Sequence, residues 1–389
     1  MTPGARIAAA IDCLDAILAG TPAEKVLTRW ARGARYAGSG DRAAVRDHVF
    51  SALRQRRSAA WVGGGETGRA LMIGTLRLGG TDPAPLFAGE GHAPATLSPG
   101  EDGDDLDNAP LPVRADLPDW FWQRLVAEYG EEGALRIGLA QRERATPWLR
   151  VNIARTTRED AAVALAQDGV ETEPHPSVRT ALGVTAGLRR LRSARTFAEG
   201  LVEPQDAASQ DAVLRLPFRR DMRILDFCAG GGGKALAMAA LTGEEVHAHD
   251  ADPARMADIA PRAARAGAGI RILTDPVSAA PFDLVLVDAP CSGSGTWRRA
   301  PDAKWRLSEE RLAELIALQA RIAREAARLV APGGWLVWRT CSVLEQENAA
   351  QMRSLVQEGG WRIEHMHDWL PDHWGDGFHL TLLRQNHNT

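Results

Sequence analysis

The first eighty residues show the apolar spacing of amphipathic helices. Apolar side chains recur at intervals of three and four positions, at Ile7, Ile11, Leu14 and Leu18. This spacing places them on one face of a helix. A similar stripe predicts a second helix over residues 41–53. We therefore expect a helical domain over residues 1–98.

The pattern changes between residues 89 and 112, where prolines and glycines accumulate beside five acidic residues at positions 101–107. A stretch this acidic and this rich in helix breakers is typical of a solvated connection. We expect an exposed linker over residues 99–115. Residues 116–204 then mix helical spacing with short apolar runs, such as 148–153, and predict a small α+β subdomain.

Short apolar runs and helical segments alternate regularly from about residue 221. Strands are predicted at 223–227, 246–249, 270–273, 282–287 and 335–339, with helices at 234–241, 253–266 and 308–330. This alternation is typical of an α/β fold with a doubly wound parallel sheet. We expect this domain to span residues 205–389.

Glycine dominates the loop that follows the first of these strands, at Gly230, Gly231, Gly232 and Gly233. Consecutive glycines let a backbone approach a ligand closely, although they also occur in flexible turns. A phosphate-binding P-loop matches poorly, because Ala235 stands where that motif needs Ser or Thr. Asp250 ends the next strand, where a carboxylate can hold ribose hydroxyls. The pattern therefore favours an adenosine cofactor that carries no pyrophosphate.

Two further strand ends carry cysteine. One loop contains Asp288, Pro290 and Cys291, and the other contains Cys341. A single cysteine is most often a small buried apolar residue. Ligands of doubly wound sheets bind beyond the carboxyl ends of the strands. Two cysteines at neighbouring strand ends, beside a cofactor loop, therefore indicate chemistry.

Charge and cysteine content restrict the class of protein further. The net charge is −4, but residues 1–70 carry eleven Lys and Arg against six Asp and Glu, a local excess of +5. Two arginine clusters, Arg54, Arg56 and Arg57, and Arg189, Arg190, Arg192 and Arg195, permit RNA binding, although such runs are usually solvated faces. The four cysteines lie far apart and show no metal-ligand spacing, so we expect a reduced, cytoplasmic protein without a metal site. No apolar run reaches membrane-spanning length.

Several of these segments resemble the Nop/Sun family of RNA cytosine-5 methyltransferases. The run from Asp288 to Trp305 is similar to the family's fourth motif, and Thr340-Cys341-Ser342 with Asn348 is similar to its sixth. Residues 200–210 resemble the block before its catalytic domain, and residues 148–152 its RNA-contacting subdomain. Residues 1–80 are weakly similar to an antitermination-factor-like RNA-binding domain. The chain looks most like bacterial Sun-type members, which act on 16S ribosomal RNA.

The resemblance implies a Rossmann-like class I methyltransferase sheet and transfer of a methyl group from S-adenosylmethionine to carbon 5 of a cytosine in structured RNA. By resemblance, Cys341 is the nucleophile that attacks carbon 6, because a thiolate is accessible near neutral pH. Cys291 assists removal of the carbon 5 proton and release of the product. Asp288 holds the amidine edge of the base, and Lys234 reaches the ring carbonyl.

The resemblance also implies a set of cofactor-binding residues. These are Asp226, Cys228, Ala229, Gly230, Gly231, Gly232, Gly233, Lys234, Asp250, Asp275 and Asp288. Asp275 is expected near the adenine. Two departures from the family's usual loop affect this set, because Gly231 replaces a proline and Ala235 replaces a threonine. The loss of the stiff proline predicts a less preorganised loop. A third departure, Gly377-Phe378-His379, stands where the family often has Gly-Phe-Phe.

Some alternatives stay open. Cytosine-5 methyltransferases of DNA carry their nucleophile in a Pro-Cys pair, which Pro290-Cys291 also offers. We expect Cys341 to be the nucleophile, because the Thr340-Cys341 pair and the tail of the fourth motif favour the RNA family. A transfer RNA substrate, or an RNA-binding ribosome assembly factor without activity, are the competing functions. We expect a monomer that binds structured RNA, with 16S ribosomal RNA the favoured substrate.

Overall fold

A computed structural model describes residues 1–386 of the chain. Its helices are α1 (Pro3–Leu18), α2 (Ala23–Gly33), α3 (Ser39–Arg54), α4 (Arg56–Gly63), α5 (Gly68–Leu78), α6 (Leu111–Arg114), α7 (Asp119–Ala140), α8 (Arg158–Gln167), α9 (Arg195–Ala198), α10 (Ala207–Leu214), α11 (Gly233–Thr242), α12 (Ile259–Ala266), α13 (Pro301–Arg306), α14 (Glu309–Ala327) and α15 (Ala349–Gln357). Its strands are β1 (Trp148–Val151), β2 (Glu171–Pro174), β3 (Ala181–Ala186), β4 (Val202–Pro204), β5 (Ile224–Asp226), β6 (Val246–Ala248), β7 (Ile270–Ile272), β8 (Phe282–Asp288), β9 (Val330–Thr340), β10 (Trp361–Trp369) and β11 (Phe378–Gln385).

The chain divides into two units. One comprises Met1–Arg144 with Trp297–Leu307, and the other comprises Ala145–Thr296 with the chain from Ser308 onward. Among the described residues, no helix is both long enough and apolar enough to cross a membrane.

The first unit is helical, and its core is the apolar face that the sequence pattern indicated. Ile7 and Leu14 of α1 are buried, together with Val45, Val49 and Leu53 of α3. The stretch 99–115 makes ion pairs with this unit. Glu101 accepts from Arg69, and the Arg69 guanidinium keeps the pKa of Glu101 near 2. The domain limits at residues 98, 115 and 204 remain predictions.

The second unit contains two sheets. The smaller sheet is antiparallel, with strand order β2-β3-β1-β4. The larger sheet has the order β10-β11-β9-β8-β5-β6-β7. Its strands from β9 to β7 run parallel, while β11 pairs antiparallel with both β9 and β10. The parallel part confirms the doubly wound α/β fold that the alternation of strands and helices predicts.

The central parallel strands β5, β8 and β9 are largely buried because their sequences are mostly apolar on both faces. Leu225 of β5, Val285 of β8 and Leu336 of β9 are fully buried, and helices α11, α12, α14 and α15 follow these strands in the chain. The strand order reverses between β5 and β8. Ligands of such sheets bind beyond the carboxyl ends of the strands at this switch point. The predicted site residues follow β5, β8 and β9, so the fold places them at the same sheet edge.

Candidate active site

The loop from β5 to α11 has a conformation that only glycine adopts freely. Gly230 has φ of 48° and Gly232 has φ of 77°, both in the left-handed region. A Cβ atom on Gly232 would also lie 2.9 Å from Cγ1 of Ile259. This tight packing leaves no room for a side chain at Gly232, so the loop is a tight turn that packs against α12.

Two arginines hold this loop from outside. Arg150 of β1 donates to the carbonyl of Gly233 at 2.6 Å, and Arg262 of α12 donates to the carbonyl of Gly231. Arg262 is in turn paired with the buried Glu203 of β4 at 3.2 Å. Strands of the small sheet therefore fix the loop that lacks the family's proline. Arg150 is buried by these protein contacts.

Asp226 closes β5 and is buried, with 1% of its surface exposed. Within residues 1–386, neither of its carboxylate oxygens makes a well-formed hydrogen bond, although the Ala235 N–H is near enough to lower the pKa of the carboxyl. Burial raises the pKa of Asp226 to about 7, against the lowering effect of Lys234. A buried carboxyl without partners costs free energy unless a ligand supplies them. The residue thus fits a ligand-binding position.

The other predicted cofactor carboxylates differ in exposure. Asp250, after β6, is 4% exposed; it accepts from the Gly230 N–H at 2.9 Å and pairs with Arg255 at 3.0 Å. Asp275, after β7, is exposed and accepts from the Val277 N–H at 2.9 Å. Cys228 lies in the glycine loop, and burial raises the pKa of its thiol far above its ordinary value. Cys228 is therefore a neutral thiol near pH 7.

Asp288, at the end of β8, lies between two cations. Lys234 Nζ donates to its Oδ2, and Arg339 Nη1 donates to its Oδ1 at 2.6 Å. Burial alone would raise the pKa of Asp288, but Lys234 and Arg339 outweigh it and hold the pKa below its ordinary value. Asp288 is therefore a carboxylate that can accept hydrogen bonds.

The two cysteines at the ends of β8 and β9 are in direct contact, with 3.3 Å between the Sγ atoms of Cys291 and Cys341. Either sulfur can donate across this contact, and the interaction with Cys291 lowers the pKa of Cys341 below its ordinary value. The same interaction, with burial, raises the pKa of Cys291. Of the two thiols, Cys341 is therefore the one that ionises more readily.

A single buried carboxylate joins the loops of these cysteines. Glu347 has no exposed surface and accepts from the Ser292 N–H at 2.8 Å, the Ser292 hydroxyl at 2.5 Å and the Ser342 hydroxyl at 2.5 Å. Gln319 of α14 donates to it at 3.0 Å. Ser292 follows Cys291 and Ser342 follows Cys341. Glu347 therefore fixes the separation of the two sulfur atoms.

Further hydrogen bonds order the loop after β9. Asn348 accepts from the Thr340 hydroxyl, and its side-chain amide donates to the Ser342 carbonyl at 3.0 Å. The Gly295 N–H donates to the Cys341 carbonyl at 2.9 Å. The polar residues of the sixth motif are therefore mainly a scaffold for the cysteine.

The C-terminal departure from the family pattern lies on β11, beside β9. Phe378 packs under the guanidinium of Arg339, with 4.3 Å from Cζ to the ring centre. His379 is buried, with Nδ1 2.6 Å from Asp368 Oδ1 and Nε2 2.6 Å from Thr381 Oγ1. The histidine is thus accommodated by two polar partners in place of an apolar contact.

The tail of the fourth motif belongs to the first unit. Lys304 of α13 is buried and donates to the Arg54 carbonyl at 3.0 Å, and the Trp305 indole donates to the Leu53 carbonyl at 2.7 Å. Burial lowers the pKa of Lys304 to about 8. Arg54 in turn donates to the Arg298 carbonyl at 2.8 Å. The cluster of Arg54, Arg56 and Arg57 is therefore partly engaged in contacts within the protein.

The second arginine cluster has a different setting. Its four members are exposed on the turn of 3-10 helix at Leu188–Ser193 and at the start of α9. Arg195 makes an ion pair with Glu199 at 2.6 Å. Of the two clusters, this one presents more cationic surface to solvent.

The structure brings the four predicted catalytic residues together at one sheet edge, as two contacting pairs. Sequence reasoning missed Arg339, Arg150 and Glu203. A signal for Arg339 was present, because a charged residue inside a buried apolar strand needs a counter-ion. No comparable signal marks Glu203, since its partners on α12 depend on the tertiary arrangement.

The seven-stranded sheet of the second unit is typical of the Rossmann-like methyltransferase fold. Three solved structures share the fold. The protein PH0851 aligns over 99% of both chains with a TM-score of 0.78 and 22% identity. A methyltransferase homolog protein from Pyrococcus horikoshii covers 71% of this chain and 97% of its own, with a TM-score of 0.62 and 22% identity. NSun6 from Pyrococcus horikoshii with SFG covers 69% and 98%, with a TM-score of 0.62 and 18% identity.

Two family models match parts of this chain. Residues 213–389 match the family described as 16S rRNA methyltransferase RsmB/F, and residues 117–189 match the ferredoxin-like domain of Methyltr_RsmF/B-like proteins. Residues 213–389 are therefore similar to the methyltransferase domain of that family, and residues 117–189 are similar to a ferredoxin-like domain of related proteins.

Curated relatives agree with this assignment. Ribosomal RNA small subunit methyltransferase B of Salmonella arizonae is 36% identical over 250 residues, which are 62% of this chain and 57% of that protein. The protein of the same name from Salmonella typhi is 35% identical over the same shares. The aligned region thus spans little more than half the length of these relatives.

Proposed function

We propose that this protein transfers a methyl group from S-adenosylmethionine to carbon 5 of a cytosine in RNA, through a covalent adduct with Cys341. The observation that carries the proposal is the contact between Cys291 and Cys341, 3.3 Å apart at the strand ends that also carry Asp288. Two adjacent thiols that ionise with different ease suit a reaction that needs one nucleophile and, later, one proton acceptor.

The residues after β5 and β6 fit S-adenosylmethionine. This cofactor supplies a methyl group activated by a sulfonium centre. The buried Asp226 has two oxygens without hydrogen-bond partners in the described chain, and the glycine loop brings its backbone to the same edge. Asp250, which is paired with the largely exposed Arg255, would hold the ribose hydroxyls of the bound cofactor. Asp275 and Cys228 complete the set as neighbours of the adenine and of the loop.

Attack by a sulfur atom makes carbon 5 nucleophilic. The Cys341 thiolate forms a bond to carbon 6, and the double-bond electrons shift toward ring nitrogen 3 and the ring carbonyl. Asp288 holds the amidine edge of the base, while Lys234 stabilises charge at the carbonyl. Carbon 5 then takes the methyl carbon, and the electron pair of the broken carbon–sulfur bond stays with the departing thioether.

Release of the product needs a proton acceptor. Cys291 stays protonated while the negative Cys341 sulfur lies beside it. After attack, that sulfur is bonded to carbon 6 and its charge has moved into the ring, so Cys291 becomes easier to deprotonate. Cys291 then loses its own proton to solvent and, as a thiolate, takes the carbon 5 proton. The freed electron pair restores the ring double bond and expels the Cys341 thiolate.

A structured ribosomal RNA, 16S rRNA in particular, is the proposed substrate. The names of the family and of the curated relatives support this choice, and the exposed arginines at 189, 190, 192 and 195 offer contacts for phosphate groups. The target base has to leave its stack to meet Cys341, so a cytosine in a loop or bulge is favoured over one in a firm duplex. We propose that the protein acts as a monomer in the cytoplasm.

The test is methylation of 16S rRNA and of transfer RNA transcripts by the purified protein, with nucleosides analysed by mass spectrometry. We expect 5-methylcytosine in 16S rRNA, none with Cys341→Ser, and parental activity with Cys13→Ala, a control in the helical core. Methylation of transfer RNA alone would reassign the substrate. Titration calorimetry without heat from S-adenosylmethionine would instead support an assembly factor without activity.

A further inference from the structure

Arg339 places a positive charge inside a buried parallel strand. It belongs to β9, is 2% exposed, and stands between Trp338 and Thr340, which have no exposed surface. Burying a guanidinium is costly unless it is paired and hydrogen-bonded. Arg339 stands two residues before Cys341, and its charge acts on the thiol of that cysteine.

The surroundings of Arg339 hold it in one place. Its Nη1 donates to Asp288 Oδ1 at 2.6 Å, and the Phe378 ring lies 4.3 Å from its Cζ. Its backbone carbonyl accepts from the Ala289 N–H at 2.9 Å. Its Nε and Nη2 are buried and have no hydrogen-bond partner within residues 1–386. Donors of this kind are retained where an anionic group comes within range during function.

The two cations on Asp288 are not equivalent. Lys234 holds Oδ2 through a flexible chain whose side chain is 16% exposed, whereas Arg339 holds Oδ1 from inside the sheet. A base whose amidine edge binds Asp288 needs one carboxylate oxygen. Because β9 and Phe378 hold Arg339 in place, Lys234 is the cation that can move away.

We infer that Arg339 is a positioning residue that stays paired with Asp288 throughout the reaction and stabilises the Cys341 thiolate, while Lys234 leaves Oδ2 when the base arrives. The role of Lys234 rests on the proposed function. The effect on the thiol does not, because it requires no RNA.

The electrostatics of the site agree with this inference. The Cys291 thiol is the main cause of the lowered pKa of Cys341, and Arg339 lowers it further. Burial and the negative charge of Asp288 act in the opposite direction. Without Arg339, Asp288 would have only one counter-ion, and its charge would disfavour the thiolate more strongly.

The test is the pH dependence of Cys341 alkylation by iodoacetamide in the full-length protein, with the modified residue identified by mass spectrometry. We expect Arg339→Met and Arg339→Gln to move the midpoint upward by about one pH unit, which is about a tenfold loss of thiolate below the midpoint. Arg339→Lys keeps the charge and should stay near the parent. Arg384→Met, which removes an arginine stacked on Trp335 at 4.5 Å, is the matched control.

An unchanged midpoint in a folded Arg339→Gln protein would overturn the inference, and so would equal midpoints for Arg339→Gln and Arg339→Lys. Circular dichroism establishes that each variant is folded, and the glutamine and lysine variants carry the test if the methionine variant is not. A shifted midpoint in a protein that methylates no RNA would contradict the proposed function and leave the role of Arg339 in place.

Discussion

Glu347 gives the sharpest prediction, because one buried side chain joins both cysteine loops. Glu347→Ala removes the acceptor of four donors, namely the N–H and hydroxyl of Ser292, the Ser342 hydroxyl and the Gln319 amide. The two hydroxyls lie 3.3 Å apart and can bond to each other. The Ser292 N–H and one Gln319 proton are left without an acceptor. At about 1–3 kcal/mol for each buried unsatisfied group, we expect a loss of about 2–6 kcal/mol in the free energy of unfolding.

The assay is urea unfolding followed by tryptophan fluorescence, and the free energy of unfolding is taken from the transition of the second unit. The matched control is Glu345→Ala, which removes an exposed partner of Arg353 and should cost at most about 1 kcal/mol. The methylation rate of Glu347→Ala should fall more than its stability explains, since the spacing of the sulfur atoms is no longer fixed. Equal destabilisation by the two substitutions, or a parental rate in Glu347→Ala, would refute the reasoning.

Three further predictions follow from the site. Cys341→Ser should leave no covalent RNA adduct, whereas Cys291→Ser should still attack RNA and accumulate a denaturant-stable adduct on a gel; the reverse pattern would make Cys291 the nucleophile. Because Asp226 has a pKa of about 7, it is protonated below that pH and can no longer accept through both oxygens, so S-adenosylmethionine should bind more weakly at pH 6 than at pH 8 in calorimetry. Asp226→Asn should remove this dependence, and a parental dependence in that variant would exclude Asp226 as its source. RNA affinity should fall steeply with salt and fall less steeply after substitution of the exposed arginines Arg189, Arg190 and Arg192 by Gln, since each phosphate contact releases counterions; an unchanged slope would move the RNA surface elsewhere.

The sequence pattern predicted the parallel sheet well, because its strands are short, apolar and separated by amphipathic helices. It gave no signal for β2, whose polar residues form a strand through pairing with β3. The start of β9 was also missed. The apolar run predicted that the strand begins at Trp335. In the structure, Val330 already pairs with Phe282, so β9 begins earlier and passes through Pro332 and two glycines.

The candidate site was predicted from the sequence only in part. Residues at strand ends could be placed together, because parallel strands end at one edge of a sheet. The contact between the two thiols could not be predicted, because no local pattern encodes the 3.3 Å separation of the Cys291 and Cys341 sulfur atoms. The sequence pattern also gave no signal for residues that contact the site from a distant position in the chain, such as Arg150, which donates to the glycine loop.

The contacts between the small sheet and the glycine loop limit where the chain can be cut into fragments. Arg150 and Glu203 both precede residue 205, yet they fix Gly233 directly and Gly231 through Arg262. A fragment that begins at residue 205 would leave the Gly233 carbonyl without Arg150 as a donor and Arg262 without Glu203 as its counter-ion. The smallest piece that preserves the loop therefore begins near Ala145. Exchange of the small sheet between relatives would have to conserve this arginine and this glutamate, so the two modules are constrained to be inherited together.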